Sequence, residues 1–266
     1  MTGRHARHIA LIVLAITVVS ASVYAQQEPT PEVIANLRAH AEQGNSEAQY
    51  LLGILYSSGK GVPKDYAEAL RLNRLAADQG HGDAQYQLGA MYSSGMGVPQ
   101  DNAEALRLYR LAAEQGLAHA QFGLGVLYNS GIGVPQDNAE ALRLYRLAAD
   151  QGHDDAQYVL GVLYANGDGV PQDYAEALRL HRLAAEQGVA LSMRFLGAAY
   201  GTGQGVPQDY VQSHMWLNLA ASRLTGENRE KTVEARDILA QPMTPEQIAE
   251  AQRLAREWDA AHPREP

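Results

Sequence analysis

The sequence predicts an all-α chain in which αα-hairpins follow one another as a solenoid, and three observations predict it. The tripeptide Gly-Val-Pro recurs at Gly61, Gly97, Gly133, Gly169 and Gly205, each 36 residues after the last. Within each period apolar residues fall at helical spacing, and glycine breaks that spacing twice. Hydrophobic residues make up 46% of the chain and charged residues 19%, enough apolar surface for a packed core.

The elements follow in order. Residues 26–44 hold an N-terminal capping helix, started by Thr30 and Pro31, carrying Val33, Leu37 and Ala41 and ending at Gly44. Residues 45–224 hold five repeats. In the first, Ala48, Leu52 and Tyr56 lie at i, i+4 and i+8 on one helical face, and Gly59 stands where a left-handed C-terminal residue is wanted. The loop Gly-Lys-Gly-Val-Pro turns the chain. Asp65 then caps a second helix, with Glu68 placed to complete a capping box; the same device recurs as Asp101 with Glu104, Asp137 with Glu140, Asp173 with Glu176, and Asp209 with Gln212. Leu72, Leu75 and Ala76 trace its buried side, Gln79 its polar exit, and Gly80 its end. A terminal repeat would expose an apolar face, so residues 225–266 supply C-terminal capping helices and a tail. Glu227 to Ala240 reads as one helix, Pro242 breaks it, and Thr244, Pro245 and Gln247 open another whose Ile248, Ala251, Ala255 and Trp258 form one stripe.

The landmarks Ala48, Leu52, Gly53, Tyr56, Gly59, Gly61, Ala69, Ala76, Ala77 and Gly80 recur in register, and this pattern resembles the Sel-one-like repeat family, relatives of the tetratricopeptide repeats. Five copies cover residues 45–224. The resemblance implies a right-handed superhelix of antiparallel helices that serves as a protein-binding scaffold, and it implies no chemistry by itself. The family often carries an aromatic residue in the middle of the second helix. Here Leu72 and its first three equivalents replace it, and Trp216 restores it.

Composition narrows the function further. Zero cysteine removes disulfide frameworks, thiol catalysis and cysteine-ligated metals. A formal charge of -9 argues against nucleic acid as a partner. The Gly-x-Gly turns lack the third glycine of a dinucleotide fingerprint, and Gly59-Lys60-Gly61 lacks the Ser or Thr of a phosphate loop. His81 and His153 stand two repeats apart and cannot share a metal, as do Asp83 and Asp155, too distant for a glycosidase pair. No catalytic residue, metal site or cofactor is expected.

The expected partner is a protein or peptide, with a membrane involved only through a membrane-protein partner. By resemblance to tetratricopeptide arrays the first helices line a concave face, where Tyr50, Tyr86, Phe122, Tyr158 and Arg194 form a ladder beside Asn129 and Asn166. Aromatic residues and Arg are the usual interface anchors. The competing reading of this ladder is inter-repeat core. The second helices from 97–116 and 133–152 differ only at Glu114 against Asp150 within their shared frame, so specificity belongs to the first helices. The fifth repeat departs most, at Arg194, Phe195, Gly201, Thr202, His214 and Trp216, either as a specialised binding end or as an adaptation to the C-terminal cap. The runner-up function is a cell-envelope enzyme acting on cell-wall or β-lactam substrates, which would require close carboxylates or a Ser beside a base.

The first 25 residues read as an address. Arg4 and Arg7 precede the uncharged run Ile9 to Val19, which is too short to span a bilayer, and Val23 and Ala25 have cleavage-type spacing. A secretory signal cleaved after Ala25 would place the chain in the periplasm or outside the cell. The alternative is an uncleaved anchor.

Overall fold

A computed structural model describes residues 29–263; the expected signal segment and the last three residues lie outside the described residues. Among the described residues the chain forms thirteen helices and no strand. They divide into two compact units meeting in sequence at Gln115 and Gly116. The N-terminal unit holds α1 (Pro31–Glu42), α2 (Ser46–Ser58), α3 (Tyr66–Asp78), α4 (Gly82–Ser94) and α5 (Asn102–Glu114). The C-terminal unit holds α6 (Ala118–Ser130), α7 (Asn138–Asp150), α8 (Asp154–Asn166), α9 (Tyr174–Glu186), α10 (Ala190–Thr202), α11 (Tyr210–Arg223), α12 (Gly226–Ala240) and α13 (Pro245–Ala261). Five αα-hairpins result: α2 with α3, α4 with α5, α6 with α7, α8 with α9, and α10 with α11.

Within each hairpin a glycine of the first helix sets the distance to the second. A β-carbon on Gly53 would lie 3.0 Å from the Asn73 side chain, and one on Gly89, Gly125, Gly161 or Gly197 would lie 2.6 to 2.9 Å from Tyr109, Tyr145, His181 or Leu217. The glycine therefore admits a large side chain at the centre of the second helix. The expected aromatic position is in this way displaced by one residue. Leu72, Leu108, Leu144 and Leu180 are core, and the ring stands next to them at Tyr109, Tyr145 and His181.

Successive hairpins are joined by side-chain bonds at constant offsets. The guanidinium groups of Arg74, Arg146 and Arg182 donate to the hydroxyls of Tyr92, Tyr164 and Tyr200, each 18 residues ahead. Arg38 on α1 makes the same bond to Tyr56, so the N-terminal helix takes the place of a second helix in a preceding repeat. Within each of the first four hairpins, buried Gln49, Gln85, Gln121 and Gln157 accept in turn from Gln79, Gln115, Gln151 and Gln187 at the end of the second helix. These pairs satisfy polar groups that would otherwise be stranded in the core.

Three expectations need correction. In α1 it is Ile34, with Leu37 and Ala41, that is buried, while Val33 is half-buried at the cluster's edge. Leu75 is 40% exposed, and the buried side of α3 runs through Ala69, Leu72, Asn73, Ala76 and Ala77. The capping boxes of the second helices are half made. Asp65, Asp101 and Asp137 accept from two amides each, and Asp173 and Asp209 from one. Their own amides instead donate across the loop to the carbonyls of Tyr56, Tyr92, Tyr128, Tyr164 and Tyr200 at 2.8 to 3.0 Å. With that amide engaged, Glu68, Glu104, Glu140 and Glu176 pair with Arg71, Arg107, Arg143 and Arg179 one turn on. Thr244 and Gln247 do form a reciprocal box.

The C-terminal end is closed by α12 and α13, each packed on α11 and scarcely touching one another. This buries α11 nearly all round, including Trp216, Leu217, Leu219 and Ala220. Trp216 meets Trp258 of α13 edge to face at 5.7 Å. Arg223 stands where earlier repeats have the pairing Gln, and its guanidinium turns to Asp259. A β-carbon on Gly201 would strike Leu239 of α12 at 2.6 Å. Gly201, Trp216 and Arg223 of the fifth repeat thus meet the cap.

Candidate partner-binding site

In every repeat the first helix packs on the second, and the aromatic residues expected to bind a partner are half-buried on it. In the N-terminal unit Tyr50 is half-buried against the imidazole of His81, ring centres 5.0 Å apart. His81 is the N-cap of α4: its Nδ1 accepts from the Ala84 amide at 3.3 Å, which leaves the proton on Nε2, 2.8 Å from the Glu47 carboxylate. Burial, then the Asp83 and Glu47 charges, pushes the Tyr50 hydroxyl up to about 12, so it stays a donor at physiological pH. Tyr86 packs on Tyr109 at 5.4 Å.

In the C-terminal unit Phe122 lies between Tyr145 at 5.6 Å and His153 at 4.7 Å. His153 caps α8 as His81 caps α4, and burial lowers its pKa against the opposing pull of Asp154 and Asp155. Tyr158 meets the edge of His181 at 5.8 Å, and His181 stacks on Phe195 at 3.9 Å. These half-buried rings are held in place by ring contacts to neighbouring segments. Such pre-positioning lowers the ordering cost when a partner docks.

The remaining expected site residues lie elsewhere. Arg194 donates from Nη1 to Asn228 of α12 at 3.1 Å, which ties it to the cap. Asn129 is exposed at the end of α6, beside a cleft shared with Asn138 and Asp168. Asn166 is exposed at the end of α8 and donates to Asp168 at 3.0 Å. Asn129 shares that cleft with Asp168 and Tyr145, and Asn166 is bonded to Asp168. Sequence reasoning missed the second-helix rings Tyr109, Tyr145 and His181, although they share one position of the 36-residue period.

One pair has the composition of a hydrolytic dyad. His181 Nδ1 lies 3.0 Å from Ser192 Oγ, but both residues are 0% exposed. No substrate reaches a hydroxyl so enclosed. Burial also lowers the His181 pKa to about 4, and its Nε2 makes no hydrogen bond, so no carboxylate orients it as a base. Among the described residues no group of three His, Asp or Glu side chains could hold a metal ion, and no helix is long and apolar enough to cross a membrane.

Repeated hairpins with recurring internal contacts and varied first-helix residues define a helical-repeat scaffold. The Sel1 repeat model matches residues 46–81, 82–117, 118–153, 154–189 and 190–223, and the chain belongs to that family. Its members are scaffolds, typically for protein–protein interaction. Among solved structures, a Sel1 repeat protein from Oxalobacter formigenes is 31% identical, with 80% of this chain and 88% of that one covered and a TM-score of 0.69. A Sel1 repeat protein from Klebsiella pneumoniae (22%, covering 78% and 99%, TM-score 0.50) and an immunity protein from Pseudomonas aeruginosa (22%, covering 84% and 80%, TM-score 0.50) share the fold. No curated protein matches the chain.

Proposed function

We propose that this chain is an exported, non-catalytic scaffold that holds a protein or peptide partner on the open face of its first helices. The observation that carries the reading is the set of half-buried rings Tyr50, Tyr86, Phe122 and Tyr158, each fixed from behind by a ring of a neighbouring segment. Aromatic side chains with few rotatable bonds, already held in place, are the anchors that contribute most when a partner excludes water from them. Second-helix surfaces contrast with this: Arg107 and Arg143 are 57% and 58% exposed and are neutralised within their own helices. Export rests on the Arg4, Arg7 and Ile9 to Val19 segment with its Ala25 cleavage spacing.

The test is affinity capture from an envelope fraction on immobilised chain 26–266, identified by mass spectrometry. The expected result is one protein enriched by wild type and depleted by Phe122→Ala. Capture unaffected by any first-helix ring substitution would defeat the reading. N-terminal sequencing of the exported chain is expected to start at Gln26.

A further inference from the structure

The residue that opens each first helix reads Asn45, His81, Leu117, His153 and Val189 across the array. Three of them cap their helix in the same way. Asn45 Oδ1 accepts from the Ala48 amide at 2.8 Å, His81 Nδ1 from Ala84 and His153 Nδ1 from Ala156, the last two at 3.3 Å. Leu117 and Val189 make no side-chain cap. A neutral imidazole has one ring nitrogen able to accept, and an imidazolium has none. The two histidine caps therefore hold only while the ring is uncharged, whereas the Asn45 cap is indifferent to pH.

His153 does more than cap α8. Its ring also stacks on Phe122 of α6, with centres 4.7 Å and planes 26° apart, so one side chain joins the start of a helix to a ring of the candidate binding surface. The His153 side chain is 16% exposed, and burial disfavours its charged form. Asp154 Oδ1 lies 3.8 Å from the same Nδ1. A proton gained on Nδ1 thus has a carboxylate to turn to, away from the Ala156 amide.

The charges acting on His153 come from Asp154 and Asp155 on its own helix and from His119 on α6. Tyr145 of α7, in contact with Phe122, keeps its proton because burial pushes its pKa up to about 12. Gln187, at the end of α9, reaches Gly152 and Gln157 and carries no charge. His81 differs in one respect that matters: its Nε2 has the Glu47 carboxylate at 2.8 Å, so a charged His81 keeps a partner where it stands. His119 occupies the place relative to His153 that Glu47 occupies relative to His81, 34 residues back, and it opposes the charge instead of matching it.

We infer that His153 is a pH-sensitive latch on Phe122: neutral, it caps α8 and holds the ring, and protonated it gives up the cap, turns towards Asp154 and water, and leaves Phe122 free to move. The inference deepens the scaffold reading and rests on it for the role of Phe122 as an anchor. Because the folded chain favours the neutral ring, the latch is fully closed above the ordinary histidine pKa of 6.5 and opens as pH falls through the lower folded value.

The test is an NMR titration of the chain from about pH 7.5 to 4.5, the range in which histidine changes charge. At neutral pH the His153 nitrogen shifts are expected to show the proton on Nε2. On acidification the His153 ring, the Ala156 amide and the Phe122 ring signals are expected to move together, with one midpoint below 6.5. In His153→Asn, which copies Asn45, the Ala156 transition is expected to disappear. Below the midpoint its amide is then expected to exchange about fivefold or more slowly than in wild type, the factor equivalent to a cap worth ~1 kcal/mol. If His153→Asn unfolds more readily than wild type, His119→Gln decides: removing the neighbouring positive charge raises the His153 midpoint, and the Ala156 and Phe122 transitions must rise with it. An Ala156 amide that stays still while His153 titrates, Phe122 signals that do not move because the charged ring keeps its stack, or an unchanged Ala156 transition in a well-folded His153→Asn would each overturn the inference. The titration uses the free chain and the capture experiment with Phe122→Ala is run at neutral pH, so failure of the latch and failure of the scaffold reading are seen separately.

Discussion

Gly125 on α6 and Tyr145 on α7 approach so closely that a β-carbon on the glycine would lie 2.8 Å from the ring's Cε1. The contact sets how near the two helices of a hairpin can come, and it recurs in every repeat, against Asn73, Tyr109, Tyr145, His181 or Leu217. Gly125→Ala is expected to cost ~1 to 3 kcal/mol, the range for overpacking a tight interior. Urea unfolding checks it, and an unchanged midpoint would mean that the ring swings aside freely.

Leu124, one residue earlier, is 4% exposed. Its truncation to alanine is expected to cost ~2 to 5 kcal/mol, since a buried leucine loses transfer energy and leaves a cavity. A loss below ~0.5 kcal/mol would contradict its burial, because surface substitutions typically stay within that range.

The half-made capping boxes give a sharp comparison. Asp101→Ala is expected to cost ~1 kcal/mol by exposing two amides of α5. Glu104→Ala is expected to cost only a few tenths, because Glu104 is engaged with Arg107 on an exposed surface. Equal losses for the two variants in thermal unfolding would show that Glu104 serves the cap after all.

His181 makes stability depend on pH. Its folded pKa is about 4 against an ordinary 6.5, because burial disfavours the charged ring. Below pH 6.5 the unfolded chain takes up a proton that the folded chain refuses, so stability falls as pH drops from 6.5 towards 4 and levels off below. The loss from this group approaches ~3 kcal/mol. His153 and His214 are shifted downward too, so the informative measurement is the difference between wild type and His181→Leu, the residue type of Leu217 at the equivalent position. Parallel stability profiles for the two proteins from pH 7 to 4 would refute the assignment.

Partner capture separates the two faces of the array. Tyr86→Ala and Phe122→Ala are each expected to weaken binding by ~2 kcal/mol or more, whereas Arg107→Ala and Arg143→Ala leave it nearly unchanged. Calorimetry against the captured partner, with variants whose unfolding matches wild type, provides the check. Arg194→Ala is read apart from these, since its bond to Asn228 makes it a probe of the cap as well.

Much of the fold was legible because the determinants are local and periodic. Gly59 ends α2 in the left-handed conformation expected of it, with φ of 77°, and Thr244 with Gln247 opens α13 as read. Local rules failed where a long-range bond competed. The Asp65 amide goes to the Tyr56 carbonyl nine residues back, and no pattern around Asp65 announces that. The candidate ring ladder was legible as a list of positions; its backing by Tyr109, Tyr145 and His181 needed the helices to be brought together.

The constant offsets between bonded residues bear on how such a gene can change length. Arg146 reaches Tyr164 and Arg182 reaches Tyr200 across the same 18 residues, and Gln151 and Gln187 each reach back 30. Loss or duplication of one 36-residue block by unequal recombination therefore rejoins each donor to an equivalent acceptor. The array can grow or shrink by whole units without stranding a polar group.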